Sequence, residues 1–296
     1  MALIVGIAAV SSGSIFARFA QADAPSIVIA AFRLFIATML LLPLAWLRYR
    51  AELHRIITGP WPWFLVSGFF LAIHFATWIS SLEYTSVASS VVLVSTSPLW
   101  VALIAWMFWR EPLTPSILIG LALAMCGSIV ISLAESQAPI SSHPYLGNAL
   151  ALAGALAVSG YWLVGRRLRR DFSLIPYVTL VYGSAALFLL VAAILFGQPL
   201  TGFKPATYGW FLLLALLPQL LGHSSFNWAL GHLPAAYVAI ATLGEPIGAA
   251  VLAFVFLGEM PSGIKTFAAL LILAGIVLAL RRKPIAMETN ELRISS

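Results

Sequence analysis

Three ionisable side chains lie inside long apolar stretches of this sequence, where a solute or a proton could reach them. They are Arg33, His74 and Glu245. A charged or titratable group in such surroundings is costly unless it faces a cavity or a partner. His74 could bind a substrate, carry a proton or hydrogen-bond between helices, because histidine titrates nearest neutral pH. Glu245 could bind an ammonium group or a proton, or it could be a structural partner of Arg33 or of the amide side chains in a later stretch. We interpret Arg33 mainly as a structural charge.

Polar residues recur at helical spacing in two of these stretches. Steps of about 100° per residue put His74 on the same face of a helix as Ser67. In a later stretch, Gln219, His223 and Asn227 follow one another at intervals of four residues. The spacing predicts two helices with one polar stripe each, and lipid could not face such a stripe without cost.

Two prolines interrupt apolar stretches in similar contexts. Ser97 directly precedes Pro98, and Thr242 and Glu245 precede Pro246. A proline removes one intrahelical hydrogen bond and clashes with the preceding turn. Pro98 and Pro246 could therefore act as a pair of gating hinges, or each could be a static kink filled by its neighbours.

Two tryptophans, Trp78 and Trp162, lie within or beside polar positions of these stretches. A large ring there could flank the side chain of a bound solute, and the alternative is plain packing between helices. Together with the polar residues, the two rings predict a cavity between helices. Its predicted lining consists of His74, Trp78, Ser97, Trp162, His223, Asn227, Thr242 and Glu245.

The composition places the helices that carry these residues in a membrane. Of the 296 residues, 61% are hydrophobic and 9% are charged, and the mean hydropathy is +1.01. A soluble domain carries roughly 25% charged residues. The composition therefore excludes a soluble enzyme, a nucleic-acid-binding domain and a disordered chain. The single cysteine, Cys126, excludes a disulfide framework and a cysteine-based metal cluster.

The apolar stretches divide into ten predicted membrane spans, since a spanning helix needs about 20 apolar residues. The predicted spans are 2–20, 26–46, 61–81, 85–107, 115–133, 145–165, 174–195, 208–229, 233–257 and 262–281. Ten spans put both termini on one side, and that side holds twelve of the sixteen Lys and Arg residues. Positive residues stay in the cytoplasm. We therefore expect a multi-pass protein of a bacterial-type inner membrane with both termini cytoplasmic.

The chain also repeats itself at an ungapped offset of 148 residues. The matches are Gly6–Gly154, Ser11–Ser159, Arg18–Arg166, Pro98–Pro246, Glu111–Glu259 and Gly127–Gly275. Five spans per half is an odd number, so the two halves must run through the membrane in opposite directions. The sequence thus predicts an all-α fold of two inverted five-helix repeats, 1–135 and 145–283, with a cytoplasmic tail at 284–296. Inverted repeats are typical of transporters, with the substrate site near the midplane between the halves.

Two segments carry a family resemblance. "SPLWVALIAWMFWREPLTPSILIGLALAMCGSIVI" and "EPIGAAVLAFVFLGEMPSGIKTFAALLILAGIVL" resemble the two halves of the drug/metabolite transporter superfamily, EamA-type branch. Each shows a mid-span proline, a glutamate thirteen residues later and a glycine-rich final span. The resemblance also extends to Glu245–Pro246 and to Arg33. It implies an exporter of amino acids, other metabolites or drugs, in which spans 1–4 and 6–9 surround a central cavity.

The sequence therefore predicts a secondary transporter that exports small metabolites by alternating access, with amino acids as the leading cargo. Efflux of drugs or amphiphiles is the alternative. A channel and an intramembrane enzyme are the other classes considered. No aspartate lies inside a predicted span, and no HExxH or GxxxxGK[ST] motif is present. Phosphorylated cargo would need several buried cations, and only Arg33 is deep in a span.

The expected partners are a small-molecule substrate and the lipid bilayer. We expect no cofactor, no metal and no nucleic acid. The sequence carries no signal for an oligomeric state.

Overall fold

The computed structural model describes residues 1–85, 87–110, 114–135, 143–248 and 263–280, and over these ranges every regular element is helical. Glu111, Glu259, the end of the predicted ninth span and the tail 284–296 lie outside the described residues, as does most of the connection between the halves. The helices are α1 Ala2–Val10, α2 Gly13–Gln21, α3 Ser26–Ile57, α4 Trp61–Tyr84, α5 Val87–Val94, α6 Ser97–Trp109, α7 Pro115–Glu135, α8 Pro144–Asp171, α9 Leu174–Leu195, α10 Pro205–Leu214, a π-helix Ala215–His223, α11 Ser224–Leu230, α12 Ala235–Thr242 and α13 Gly263–Leu280.

Six helical segments of the described ranges are long and apolar enough to cross a membrane. They are Ala2–Gln21, Ser26–Ile57, Trp61–Tyr84, Tyr145–Asp171, Leu174–Leu195 and Pro205–Leu230. Shorter apolar helices cover Ser97–Phe108, Pro115–Gly127 and Thr266–Gly275. Over the described ranges the protein is therefore all-helical with six segments that could span a membrane, and the division into ten spans stays a prediction.

Two helices extend beyond the ends of the predicted membrane spans. Helix α3 extends to Ile57, past the predicted end at 46 and across non-helical φ and ψ angles at Tyr49, and α8 extends to Asp171, past the predicted end at 165. Each of these two predicted spans ends just before the first arginines that follow it. Arginine is a good helix former, so a charge marks the end of the apolar stretch and not the end of the helix.

The helices are broken just before the two prolines. Ser95 and Thr96 separate α5 from α6, and Pro98 lies in the first turn of α6. A turn after α12 likewise precedes the short helical segment 245–248, which contains Pro246. Proline is well tolerated at the start of a helix, where its missing N–H would have no intrahelical partner. Each proline therefore begins a helical segment rather than kinking a continuous one.

Close packing between helices fixes the bundle. Helix α4 packs on α8 and α9, α3 packs on α9, and α1 packs on the π-helix and α11. Helix α7 packs on α13, and a Cβ added at Gly127 would lie 2.6 Å from the carbonyl oxygen of Ala268. Glycine at 127 therefore allows the two backbones to approach closely, as small residues do in membrane helix pairs.

Two serines tie the broken helices to the rest of the bundle. Ser11 Oγ lies 2.7 Å from the carbonyl oxygen four residues earlier and 3.1 Å from the carbonyl oxygen of Glu245. Ser159 Oγ likewise lies 2.7 Å from the carbonyl oxygen four residues earlier and 3.0 Å from that of Ser97. The two serines are 148 residues apart, and so are Ser97 and Glu245. The backbone just before each proline is thus held by a hydroxyl group.

Further hydrogen bonds from side chain to backbone recur at the same offset. Each joins the end of one helix to a carbonyl oxygen near the end of another. They are Arg18 Nη1 to Leu82 (2.5 Å) and Arg166 Nη1 to Leu230 (2.7 Å), then Gln21 Nε2 to Ile79 (2.7 Å) and Arg169 Nε to Asn227 (3.0 Å).

The connection between α2 and α3 caps the start of α10. Asp23 Oδ2 accepts a hydrogen bond from the backbone N–H of Lys204 and another from Thr207 Oγ1, each at 2.7 Å. Chiefly because of the Lys204 N–H, and then because of the Thr207 hydroxyl, the pKa of the Asp23 carboxyl is lowered from its ordinary value of 3.8.

Candidate functional site

A cavity lies where α1, α3, α4, α8, the π-helix and the two broken helices meet. It contains seven of the eight predicted site residues and also Arg33. The described residues that line it are Val10, Arg33, His74, Trp78, Val94, Ser95, Ser97, Val158, Trp162, Pro218, His223, Phe226, Thr242 and Glu245.

Arg33 supplies the positive charge of the cavity. Helix α3 buries its side chain to 1% exposure. The Nε atom donates to Gln219 Oε1 at 2.7 Å, and the guanidinium carbon lies 4.1 Å from the centroid of the Phe75 ring. The Nη1 atom is buried without a hydrogen-bond partner. A buried unpaired donor of this kind is expensive, so Arg33 has unused capacity to bind an acceptor.

Glu245 supplies the carboxyl group of the cavity. It lies on the short segment after the α12 break, and its backbone oxygen accepts the Ser11 hydroxyl. Within the described ranges no ion pair closer than 4.0 Å joins Glu245 to Arg33, whose Nε is bonded to Gln219 instead. One positive and one acidic side chain therefore line the same cavity without touching each other.

Two histidines and two tryptophans form a stacked aromatic wall. His74 and Trp78, both on α4, are parallel to within 2° with centroids 6.0 Å apart. His223 and Trp162 are parallel to within 12° with centroids 5.9 Å apart. His74 Nδ1 donates to the carbonyl oxygen of Gly154 on α8 at 3.0 Å. This bond fixes the orientation of the ring, so Nε2 is the nitrogen that could accept a hydrogen bond from a solute. His223 Nδ1 is buried without a partner.

Asn227 is the one predicted residue that does not line the cavity. It lies on α11, one turn beyond His223, and is fully buried. Its Nδ2 donates to the hydroxyls of Tyr161 (2.6 Å) and Tyr182 (3.2 Å) and to the carbonyl oxygen of His223 (2.8 Å). These bonds occupy the amide nitrogen, so Asn227 supports the wall from behind. Of the three residues that the i, i+4 spacing places on one face, His223 lines the cavity, whereas Gln219 and Asn227 do not.

Sequence reasoning missed several lining residues. Val10, Val158 and Phe226 are apolar and carry no signal that separates them from core residues. Pro218 does carry one, because a proline inside an apolar stretch predicts irregular helix. It lies within the π-helix, and π-helical turns occur often at functional sites.

The arrangement suits recognition of a small solute rather than bond cleavage. A guanidinium N–H and a histidine nitrogen are available on one part of the lining, a carboxyl group on another, and aromatic rings form the wall. Such a set can hold an anionic group, a cationic group and an apolar side chain at the same time.

Comparison with known families gives one match that covers most of the chain. The model of the EamA-like transporter family matches residues 1–133 and again residues 145–281.

Similar proteins are transporters. An "Uncharacterized transporter" of Archaeoglobus fulgidus is 23% identical over 89% of this chain and 91% of its own length. The "Uncharacterized transporter YetK" of Bacillus subtilis is 26% identical over 68% of this chain and 62% of its length. A "Probable terminal-alkyne amino-acid exporter" of Streptantibioticus cattleyicolor is 26% identical over 64% of this chain and 63% of its length.

The fold also resembles a known structure. One crystal structure superposes with a TM-score of 0.75 at 20% identity, covering 94% of this chain and 96% of the other. At this identity the likeness concerns the fold alone.

Proposed function

The chain belongs to the EamA-like transporter family, and from that premise we propose that it is a secondary transporter exporting amino acids by alternating access. Family membership makes it a multi-pass membrane transporter of a small molecule and not an enzyme. The cargo, the direction of transport, the inner-membrane location and the cytoplasmic termini are the proposal.

The proposed architecture is two inverted five-helix repeats, 1–135 and 145–283. The family model matches the chain once in each part. The serine and arginine hydrogen bonds recur at the 148-residue offset. Four pairs of lining residues share that offset: Val10–Val158, Trp78–Phe226, Val94–Thr242 and Ser97–Glu245. These pairs support a site on the pseudo-twofold axis, with alternating access by rocking one repeat against the other.

One observation carries the choice of cargo, namely that Arg33 and Glu245 line one cavity without pairing. Buried ionisable groups are normally paired or hydrogen-bonded. An α-amino acid brings a carboxylate and an ammonium group attached to the same carbon atom, and so can bind both residues in one event. The carboxylate would take the free Arg33 Nη1, the ammonium would take Glu245, and the stacked rings would hold the side chain.

The scarcity of cations argues against phosphorylated cargo. Within the described lining, Arg33 is the one Lys or Arg residue, whereas a nucleotide sugar presents two phosphate charges. The relative from Streptantibioticus cattleyicolor, printed as an amino-acid exporter, is consistent with this choice.

The test is a competition flux assay with the purified protein in proteoliposomes. A panel of radiolabelled amino acids is measured with a pH gradient present and absent, which also shows whether protons are coupled. Saturable amino-acid flux that nucleotide sugars leave unchanged is the expected result. Saturable nucleotide-sugar exchange would overturn the proposal.

Efflux of aromatic cations is the second candidate, because four stacked aromatic rings line the cavity. Tryptophan faces attract organic cations. The two candidates separate on the contribution of Arg33, which repels a cation and attracts a zwitterion. Competition by a quaternary ammonium dye that survives Arg33→Gln would favour this second function.

Tags report the proposed topology. Tags at both termini and in the 166–170 segment should be cytoplasmic, and a tag between residues 134 and 144 should be on the opposite side. Opposite locations of the two termini would exclude ten spans.

A further inference from the structure

A second hollow opens at the end of the bundle where α3 ends and α4 begins. It is lined by Arg55, Thr58, Gly59, Pro60, Trp63, Arg167, Leu168, Asp171 and Phe172. None of these residues lines the central cavity. We call this hollow the basic groove.

Two arginines of the basic groove are held in place by aromatic faces. The guanidinium carbon of Arg55 lies 4.7 Å from the ring centroid of Phe172, and its Nη2 donates to the backbone oxygen of Asp171 at 2.8 Å. The guanidinium carbon of Arg167 lies 5.1 Å from the ring centroid of Trp63. A guanidinium stacked on a ring keeps its N–H groups in its own plane, where they can meet an anion edge-on. Two guanidinium groups against one carboxylate leave the groove positive.

An apolar crevice adjoins the basic groove. It is lined by Ile56, Ile57, Trp61, Phe64, Leu65 and Leu180. Residues of the segment 55–65 line both hollows. The Phe64 ring of the crevice contacts the Phe172 ring of the groove edge-on, with centroids 5.4 Å apart. A charged hollow and an apolar hollow are thus separated by one pair of rings.

The position of this pair of hollows matches the boundary of a bilayer. Trp61 and Trp63 begin α4 and are 49% and 45% exposed. Tryptophans at the ends of spanning helices mark the level of the lipid headgroups. The two exposed tryptophans therefore favour a position of the basic groove at headgroup level, with the apolar crevice beside the acyl chains.

We propose that the basic groove and the apolar crevice together bind one anionic phospholipid. Its phosphate would accept hydrogen bonds from Arg55 and Arg167, and one acyl chain would fill the crevice. Arginine pairs well with phosphate oxygens, and basic pockets between membrane helices hold anionic headgroups. A free phosphate ester offers the same anionic chemistry without the chain. A zwitterionic lipid brings an ammonium group that Arg55 and Arg167 repel.

The test measures lipid binding to the full chain in neutral detergent, by native mass spectrometry and thermal unfolding. Phosphatidylglycerol and phosphatidylcholine with identical acyl chains are compared, with glycerol 3-phosphate as the chain-free anion. The variant Arg55→Gln/Arg167→Gln removes both groove cations. The matched control Arg50→Gln/Arg170→Gln removes two exposed arginines outside the groove.

We expect phosphatidylglycerol to raise the Tm and to be retained, and the groove variant to retain it at least about fivefold less than the control variant does. Phosphatidylcholine and glycerol 3-phosphate should leave the Tm unchanged. Equal losses in both variants would mean diffuse electrostatic attraction and would overturn the site. An equal Tm shift from glycerol 3-phosphate would assign the groove to a soluble anion instead. Because the readout is binding, none of these outcomes depends on which solute the central cavity carries.

Discussion

The serine bonds that hold the helices are the same in the two halves, whereas the charged groups of the cavity are not. Ser11 and Ser159 each bond the carbonyl oxygen just before a proline. Arg33, by contrast, corresponds at the 148-residue offset to Val181, and Glu245 corresponds to Ser97. Bonds that set helix positions thus recur, whereas each of the two charged groups of the cavity occurs once.

This difference separates the scaffold from recognition. A scaffold that alternates between two mirrored conformations needs equivalent contacts in both halves, so that neither conformation is strongly favoured. A solute such as an amino acid has no twofold symmetry, and a symmetric lining would bind it poorly. His74 corresponds to Gly222, and Trp162 corresponds to Ser14. Trp78, in contrast, corresponds to Phe226, so the aromatic wall is symmetric only in part.

The largest effect is expected where the halves differ most in charge. Arg33→Gln and Glu245→Gln should each lower kcat/KM for amino acids by about a hundredfold or more. Each variant leaves one charged group of the bound amino acid buried without its oppositely charged side chain. Flux in proteoliposomes measures the loss, and monodispersity in detergent shows whether the variant folds. Arg33→Lys keeps the charge and should retain more flux than Arg33→Gln. Normal flux in both Gln variants would move recognition elsewhere.

Substitution of the two prolines tests whether the helix breaks of the two halves have the same role in transport. Pro98→Ala and Pro246→Ala restore an N–H and allow each broken helix to become continuous. We expect each to lower flux by about tenfold, which corresponds to a transport barrier about 1.4 kcal/mol higher, with a smaller effect on folded yield. A loss in one variant alone would show that the two breaks have different roles. Normal transport in both would make the prolines packing features.

Much of the scaffold could be predicted from sequence because it depends on local signals. Apolar length predicted the membrane class, and seven of eight predicted residues line one cavity. Kinks were predicted at Pro98 and Pro246, whereas the structure has a break before each proline. A proline in a sequence indicates that one backbone N–H is missing, but it does not indicate whether the helix bends there or begins anew. The bond between Arg33 and Gln219 joins residues 186 positions apart, and no local spacing encodes such a contact. The part of α3 beyond residue 46 was not predicted, because hydropathy indicates which residues lie in the bilayer and not where a helix ends.

The serine pair should show the equivalence as stability. Ser11→Ala and Ser159→Ala each remove a hydroxyl donor from a carbonyl oxygen near the cavity. We expect each to lower the free energy of unfolding by about 0.5–1.5 kcal/mol, with the two values close to each other. Denaturant unfolding in detergent measures both. If the loss in unfolding free energy of one variant were more than twice that of the other, the two serines would not be equivalent anchors.

The smallest effect is expected at Asp23 and Asp171, which are 148 residues apart but make different contacts. Asp23 accepts two hydrogen bonds at the start of α10, whereas the recorded bond at Asp171 is to its backbone oxygen, from Arg55. The pKa of the Asp23 carboxyl lies below 3.8 in the folded protein. Its stabilising effect is therefore fully present above that ordinary value, and is lost as the pH falls through the lowered folded value. Asp23→Asn should lower the Tm by about 1–2 °C at pH 6, a small effect because the group is exposed. The difference from wild type should shrink as the pH approaches 3, whereas Asp171→Asn should show a smaller difference at pH 6. A Tm difference for Asp23→Asn that stays constant from pH 6 to pH 3 would mean that the carboxylate charge has no part in capping α10.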